Sequence, residues 1–132
     1  MSQFKFSIIT VVKNDEKNIE KTIKSILNQK LNVEVEYIIV DGNSSDRTLE
    51  IINLYKNHIN KIISENDEGI YYAMNKAISC SSGNIIGVCN SRDIIYPRGL
   101  FHIEKEFRTN NCDFVFGTVI RNYLGNKILK HG

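Results

Sequence analysis

The chain reads as an α/β domain built on a mostly parallel sheet flanked by helices. Three observations predict this class. Apolar runs rich in β-branched residues alternate with amphipathic stretches of helical period. Strands separated by helices are what parallel pairing requires. Three of the runs then end in polar clusters, Lys13-Asn14-Asp15, Asp41 to Asp46 and Asn90 to Asp93. In a parallel sheet these clusters share one rim, beyond the carboxyl ends of the strands, where open α/β sheets bind ligands.

Each element has its own local reason. Phe6 to Val12 is a buried strand. Asp15 to Gln29 is a helix with apolar residues at 19, 23, 26 and 27, and Asn14 or Asp15 can cap it. Val35 to Val40 is a second strand that delivers Asp41. Ser45 or Asp46 can cap the next helix, whose Leu49, Ile52 and Tyr55 share a face. Lys61 to Ser64 is a short strand with a weak signal. Gly69 to Cys80 is a helix with an apolar stripe at Ile70, Ala73, Met74, Ala77 and Ile78. Ser81-Ser82-Gly83-Asn84 has turn chemistry and leads into the buried strand Ile85 to Cys89. Pro97 suits the first turn of a helix carrying Leu100, Ile103 and Phe107. Asp113 to Ile120 is a last strand, to which Lys127 to Leu129 can pair across the Asn122 to Asn126 turn.

Size and composition narrow the function. At 132 residues the chain predicts a single domain over 1–132, large enough for a core. With 42% hydrophobic and 24% charged residues it has an ordinary globular composition. A net charge of +2 with no basic run does not point to nucleic acid. Cys80, Cys89 and Cys112 form no C-x-x-C pair and lie at no metal-ligand spacing from a histidine, so reduced thiols are expected. No apolar stretch approaches the ~18 residues of a membrane span and no signal peptide is recognisable, so a cytoplasmic location is expected. Association with the inner face of a membrane would have to come from a partner or a lipid-linked substrate.

The polar clusters carry the candidate chemistry. A carboxylate at a strand end, as Asp41 is, can accept hydrogen bonds from a base or from ribose hydroxyls; Asp-Gly is equally a strong turn former. Ser44, Ser45 and Asp46 read first as helix caps and second as ligand contacts. The acidic residues before the Gly69 helix suit its dipole, and Lys76 is either a solvated charge or a cation near a phosphate. After the strand ending at Cys89 only Asp93 supplies a carboxylate, while Arg92 offers a planar fork suited to phosphate oxygens. His58, His102 and His131 are isolated and receive no role.

These segments taken in order resemble a known family. Ser7-Ile-Ile-Thr-Val-Val-Lys-Asn14, Glu36-Tyr-Ile-Ile-Val-Asp-Gly-Asn-Ser-Ser-Asp-Arg-Thr48, Ser64 to Lys76, and Ser82-Gly-Asn-Ile-Ile-Gly-Val-Cys-Asn-Ser-Arg-Asp93 resemble family 2 glycosyltransferases of the GT-A fold, over roughly residues 5 to 107. Within that family they resemble especially the bacterial enzymes that build O-antigen, capsule or colanic-acid-like polysaccharides. The resemblance implies a Rossmann-like nucleotide-sugar domain and a divalent cation, Mn²⁺ or Mg²⁺. It implies an inverting transfer from a nucleotide-diphosphate sugar, most simply a UDP-sugar, to a glycan or lipid-linked acceptor. By position, Thr10, Val11, Val12 and Asn14 would border the nucleotide and Asp41 would read the base. Ser44, Asp67, Lys76 and Arg92 would line the same site, with Asp93 as the metal ligand.

Two departures shape the expectation. The family usually has an acidic pair where this chain has Arg92-Asp93, and a positive charge there should weaken or abolish cation binding. The general base and the acceptor site of such enzymes follow the metal motif, so they are expected to be largely missing here, and no base is assigned. Two readings stay open: a glycosyltransferase or its donor-binding domain, and an inactive nucleotide-binding or interaction module of the same fold. The edge of the Asp113 to Leu129 hairpin could also pair with a second copy.

Overall fold

The computed structural model describes residues 4–115, 117, 119–123 and 126–130, the last two ranges as backbone. It divides into two units, 1–101 and 102–132.

The first unit is the predicted parallel sheet. Its strands are β1 (Lys5–Val12), β2 (Glu34–Asp41), β3 (Lys61–Ser64) and β4 (Ile85–Val88), in the order β3-β2-β1-β4. All neighbours are parallel, and Val12, Asp41 and Ser64 stand level across β1, β2 and β3. Helix α1 (Ile19–Leu27) joins β1 to β2; α2 (Thr48–Leu54) and one 3-10 turn, Lys56–His58, join β2 to β3; α3 (Ile70–Ser79) joins β3 to β4. The chain steps outward from β1 to β3 and then returns past β1 to place β4. Right-handed crossovers in opposite directions put α3 on the sheet face opposite α1 and α2.

Strand periodicity explains the two-sided core. Every residue of β1 from Phe6 to Val12 is buried, as a central parallel strand must be. On one face Ile9, Val11, Ile38 and Val40 pack with Ala73 and Ala77 of α3, joined by Ile63, Met74 and Cys80. Ile19, Ile23 and Ile26 of α1 are buried at the helical spacing read from the sequence. Gln29 stitches the segment after β4 to α1: its Nε2 donates to the Tyr96 carbonyl at 3.0 Å and its Oε1 accepts from Leu100 N–H at 3.1 Å.

At the amino-terminal edge of the sheet, buried Glu36 accepts from Ser7 Oγ (2.6 Å), Ser82 N–H (2.8 Å) and Ser82 Oγ (3.0 Å). Lys61 stands 3.4 Å away and also donates to the Cys80 carbonyl. Gly83 lies against this cluster because a Cβ there would fall 2.6 Å from Ser7 Oγ and 2.7 Å from the Lys5 carbonyl.

Four expectations are corrected. The strand after Gly83 was expected to be buried, but β4 is the outer strand of this sheet, with Ile86 and Val88 exposed. Helix α1 starts at Ile19, four residues later than expected, because Asp15 to Asn18 form a turn first; the Asp15 carbonyl accepts from Asn18 and Ile19. Of the α3 stripe only Ala73 and Ala77 are buried, while Ile70 and Ile78 are exposed. Beyond α4 (Gly99–Thr109), the second unit holds the antiparallel hairpin β5 (Val119–Tyr123) and β6 (Asn126–Lys130), in place of a strand over 113–120. Tyr123 pairs with Asn126, so five residues of β6 carry the ladder back only to Val119.

Candidate functional site

The three polar clusters do meet on one rim, and hydrogen bonds between distant loops assemble it. Asn14 N–H donates to Ser44 Oγ at 2.8 Å, and Asn14 Oδ1 accepts from Ser45 N–H at 2.8 Å. Asp15 N–H donates to Thr48 Oγ1 at 2.9 Å, and Glu16 N–H to Asp46 Oδ2 at 3.2 Å. These bonds clamp the loop after β1 to the loop after β2. Asp46 Oδ1 also accepts from Thr48 N–H at 2.9 Å, but the N-cap of α2 is Arg47, with no side-chain cap, where Ser45 or Asp46 was expected. On the other side of β1, Val11 N–H donates to Asn90 Oδ1 at 3.2 Å and the Val11 carbonyl accepts from Ser91 N–H at 3.3 Å. One strand lies between β2 and β4, so Asp41 and the Asn90 to Asp93 turn stand about 10 Å apart along this rim.

Asp41 is fully buried and its carboxylate holds three protein donors. Oδ1 accepts from Ser44 Oγ (2.5 Å), and Oδ2 from Ser44 N–H (3.1 Å) and Ser64 Oγ (2.7 Å). It braces the Gly42 to Ser44 turn, and the carboxylate nearer solvent is half-buried Asp67. A Cβ placed on Gly42 would meet Asp67 Oδ2 at 3.2 Å and Lys13 Cδ at 3.3 Å. Gly42 therefore lies in close approach to those two side chains, which a Cβ there would push aside. Lys76 pairs with Glu65 at 2.7 Å and reaches the Asn66 carbonyl at 3.4 Å, so it steadies the loop carrying Asp67.

The β1 residues lie deeper. Thr10 is fully buried, donating from Oγ1 to the Cys89 carbonyl at 2.6 Å and bonded to Tyr37 Oη at 2.9 Å. Val11 and Val12 are buried, and the Val12 carbonyl accepts from Gly42 N–H at 2.9 Å. Of the four candidates from this strand and its loop, only Asn14 is exposed, in a left-handed conformation at φ 48°.

The sheet order reverses direction between β1 and β4, and at that switch point stands Asp15. Its buried carboxylate accepts from Ser91 Oγ (2.6 Å), Asn18 Nδ2 (2.7 Å) and Arg92 Nε (3.3 Å). Burial pushes the Asp15 pKa up, but the hydrogen bonds from Ser91, Asn18 and Arg92 outweigh it and hold the group below the usual carboxylate range. Arg92 has φ 79°, rare for a residue with a Cβ, and its side chain is 74% exposed. Asp93 is exposed; its carbonyl accepts from Thr22 Oγ1 at 2.7 Å. Sequence reasoning placed Asp15 at a helix cap and missed both its pairing with Arg92 and the close approach of Lys13 and Asp67 to Gly42. No local signal marks a contact between residues 77 positions apart.

The donor set does not fit a resident divalent cation. Such ions take several oxygen ligands, commonly from more than one carboxylate. Among the described residues no group of three His, Cys, Asp or Glu side chains could hold a metal ion. Asp93 is the one carboxylate of its turn, Arg92 beside it is cationic, and Asp15 is already engaged. A depression lined by Lys24, Leu27, Asn28, Tyr55 and His58 includes none of the expected site residues.

Comparison with known proteins agrees with this architecture. S. aureus TarS 1-349, solved in complex with UDP-GlcNAc, superposes with a TM-score of 0.75 at 28% identity, covering 81% of this chain and 32% of that one. A mannosyltransferase, PcManGT from Pyrobaculum calidifontis, solved with GDP-Man and Mn²⁺, shares the fold at a TM-score of 0.71 and 17% identity, covering 83% of this chain and 34% of that one. An uncharacterized glycosyltransferase of Mycobacterium tuberculosis is 32% identical over 87 residues, 66% of this chain and 33% of that protein. The chain thus spans about a third of the length of each. The sheet and its helices are the expected GT-A, Rossmann-like fold. The family model for glycosyl transferase family 2 matches residues 7–132, and the chain belongs to that family.

Proposed function

We propose that this chain is the donor-binding domain of an inverting glycosyltransferase. It takes a nucleotide-diphosphate sugar, most simply a UDP-sugar, for transfer to a polysaccharide or lipid-linked glycan in bacterial surface polysaccharide synthesis. One observation carries the reading: the ends of β1, β2 and β4 are clamped into a single polar rim across the switch point of a parallel sheet. That is where such sheets hold nucleotides. Similarity to TarS, solved with UDP-GlcNAc, supports a uridine nucleotide.

In this reading Lys13 and Asp67, which flank Gly42, lie beside the base, and Asn14 and Ser44 border the nucleoside. Asp41 and Lys76 hold the loops that carry Ser44 and Asp67, and Thr10, Val11 and Val12 form the floor. Arg92 and Asp93 face the diphosphate. In the transfer the acceptor hydroxyl attacks the anomeric carbon, the bond to the diphosphate oxygen breaks with its electron pair, and a base takes the hydroxyl proton. The base is not among the residues assigned here. In the relative PcManGT the donor is accompanied by Mn²⁺; here Asp93 is the residue that would meet a cation brought in with the diphosphate.

The expected setting is cytoplasmic, with contact to the membrane made through a lipid-linked acceptor. Among the described residues no helix is long and apolar enough to cross a membrane. A second copy could pair along an outer edge of the β5–β6 hairpin, which light scattering at high concentration tests. Calorimetric titration with UDP, GDP and their sugars tests the main reading. Saturable binding of a uridine nucleotide is expected; no binding of any nucleotide removes it. The presence of Arg92 favours a second reading, a module that binds the donor without transferring it. Donor hydrolysis by the chain would exclude that one.

A further inference from the structure

The geometry at the switch point assigns Arg92 as the cation of this site: we propose that its guanidinium takes the nucleotide's diphosphate directly, so that binding does not require a divalent metal ion. The inference rests on the nucleotide-diphosphate reading above and specifies how the charge of that ligand is met.

Position comes first. The strand order reverses between β1 and β4, and Arg92 lies just past β4, beside the crevice that the reversal opens. Orientation comes second. Asp15 is buried and fixed to α1's entry turn by Asn18; it holds Ser91 Oγ at 2.6 Å and Arg92 Nε at 3.3 Å. Asp15 therefore engages one of the five guanidinium donors from behind. The side chain is 74% exposed, so most of it stays open to a ligand. A fork presented in this way matches two phosphate oxygens, and anchoring at Nε reduces the freedom lost on binding.

Charge comes third. A pair of carboxylates after β4 would carry two negative charges, and a diphosphate could approach it only with a cation between them. With Arg92-Asp93 the turn is neutral, a cation has one fewer carboxylate, and a fixed positive charge stands beside the one that remains. The same arginine that weakens a metal site brings a positive charge of its own, partly offset by Asp15. The φ of 79° at Arg92 is consistent with a side chain held for its direction.

Calorimetry on the whole chain tests this with UDP and UMP, in EDTA and in Mn²⁺, for the native chain and for Arg92→Gln and Arg92→Lys. Glutamine can still donate to Asp15 but carries no charge, which separates the ligand contact from the support of the turn. The native chain should bind UDP in EDTA within about threefold of its affinity in Mn²⁺. In Arg92→Gln the preference for UDP over UMP should fall by about tenfold, the loss of one charge-assisted contact, with Arg92→Lys in between. UDP binding that needs Mn²⁺, or a UDP-over-UMP preference unmoved by Arg92→Gln, overturns the inference and leaves the nucleotide site standing. No binding of either nucleotide under any condition overturns both.

Discussion

Asp15 and Arg92 meet at 3.3 Å although 77 residues separate them, joining the loop that leaves β1 to the turn that follows β4. The contact closes the rim at the sheet's switch point. It also explains why a buried carboxylate is tolerated there: Ser91 and Asn18 supply two further donors. Asp15→Asn keeps the shape and removes the charge. It should cost about 1–3 kcal/mol in a urea melt, because Arg92 and Ser91 lose a charged acceptor. It should also weaken UDP binding. Unchanged stability would mean the pair contributes little.

Glu36 makes the fold sensitive to acid. Although burial raises its pKa, bonds from Ser7 and Ser82 together with Lys61 lower it from 4.5 to about 2. A carboxylate whose folded pKa is depressed stabilises the fold fully above its unfolded pKa and loses that contribution as pH falls through the folded one. Stability should therefore decline between pH 4.5 and about 2. Glu36→Gln should cost about 1–3 kcal/mol at neutral pH and flatten that decline. Thermal melts across this range check it; a mutant with the native slope would assign the acid sensitivity elsewhere.

Gly83 is required by close approach. A Cβ would fall 2.6 to 2.7 Å from Ser7 Oγ, Ser7 N and the Lys5 carbonyl, and two of these are backbone atoms that cannot swing away. Gly83→Ala should cost about 1–3 kcal/mol through overpacking. Equilibrium unfolding that showed no loss would mean β1 and the turn before β4 can separate freely.

Asp41→Ala removes the acceptor shared by Ser44 N–H, Ser44 Oγ and Ser64 Oγ. A loss of about 2 kcal/mol or more is expected from unpaired buried donors. Hydrogen exchange should show the Ser44 amide losing protection while Ile9 and Ile38 keep theirs. Equal protection loss throughout the sheet would make Asp41 a general core residue instead of a brace for one turn.

Much of this arrangement was legible in the sequence. β-branched runs marked β1, β2 and β4, and parallel pairing put their polar ends together. What local patterns could not carry was partnership. Asp15 reads as a helix cap until the sheet order puts β4 beside β1, and Thr10, which the resemblance placed at the border of the nucleotide, is bonded to Tyr37 and Cys89 instead. Periodicity marked Ile70 and Ile78 as apolar, yet it cannot say whether anything covers them, and they are exposed. The crowding at Gly42 is visible only once Lys13 and Asp67 stand beside it.

The most direct measurement is an NMR titration of the labelled chain with UDP, following backbone amides. The largest shifts should fall on Asn14, Gly42, Ser44, Asp67, Ser91 and Arg92, with Glu36 and Gly83 at the opposite edge of the sheet unmoved. Shifts centred on Glu36 and Gly83, or no shifts at all, would contradict a nucleotide site on this rim.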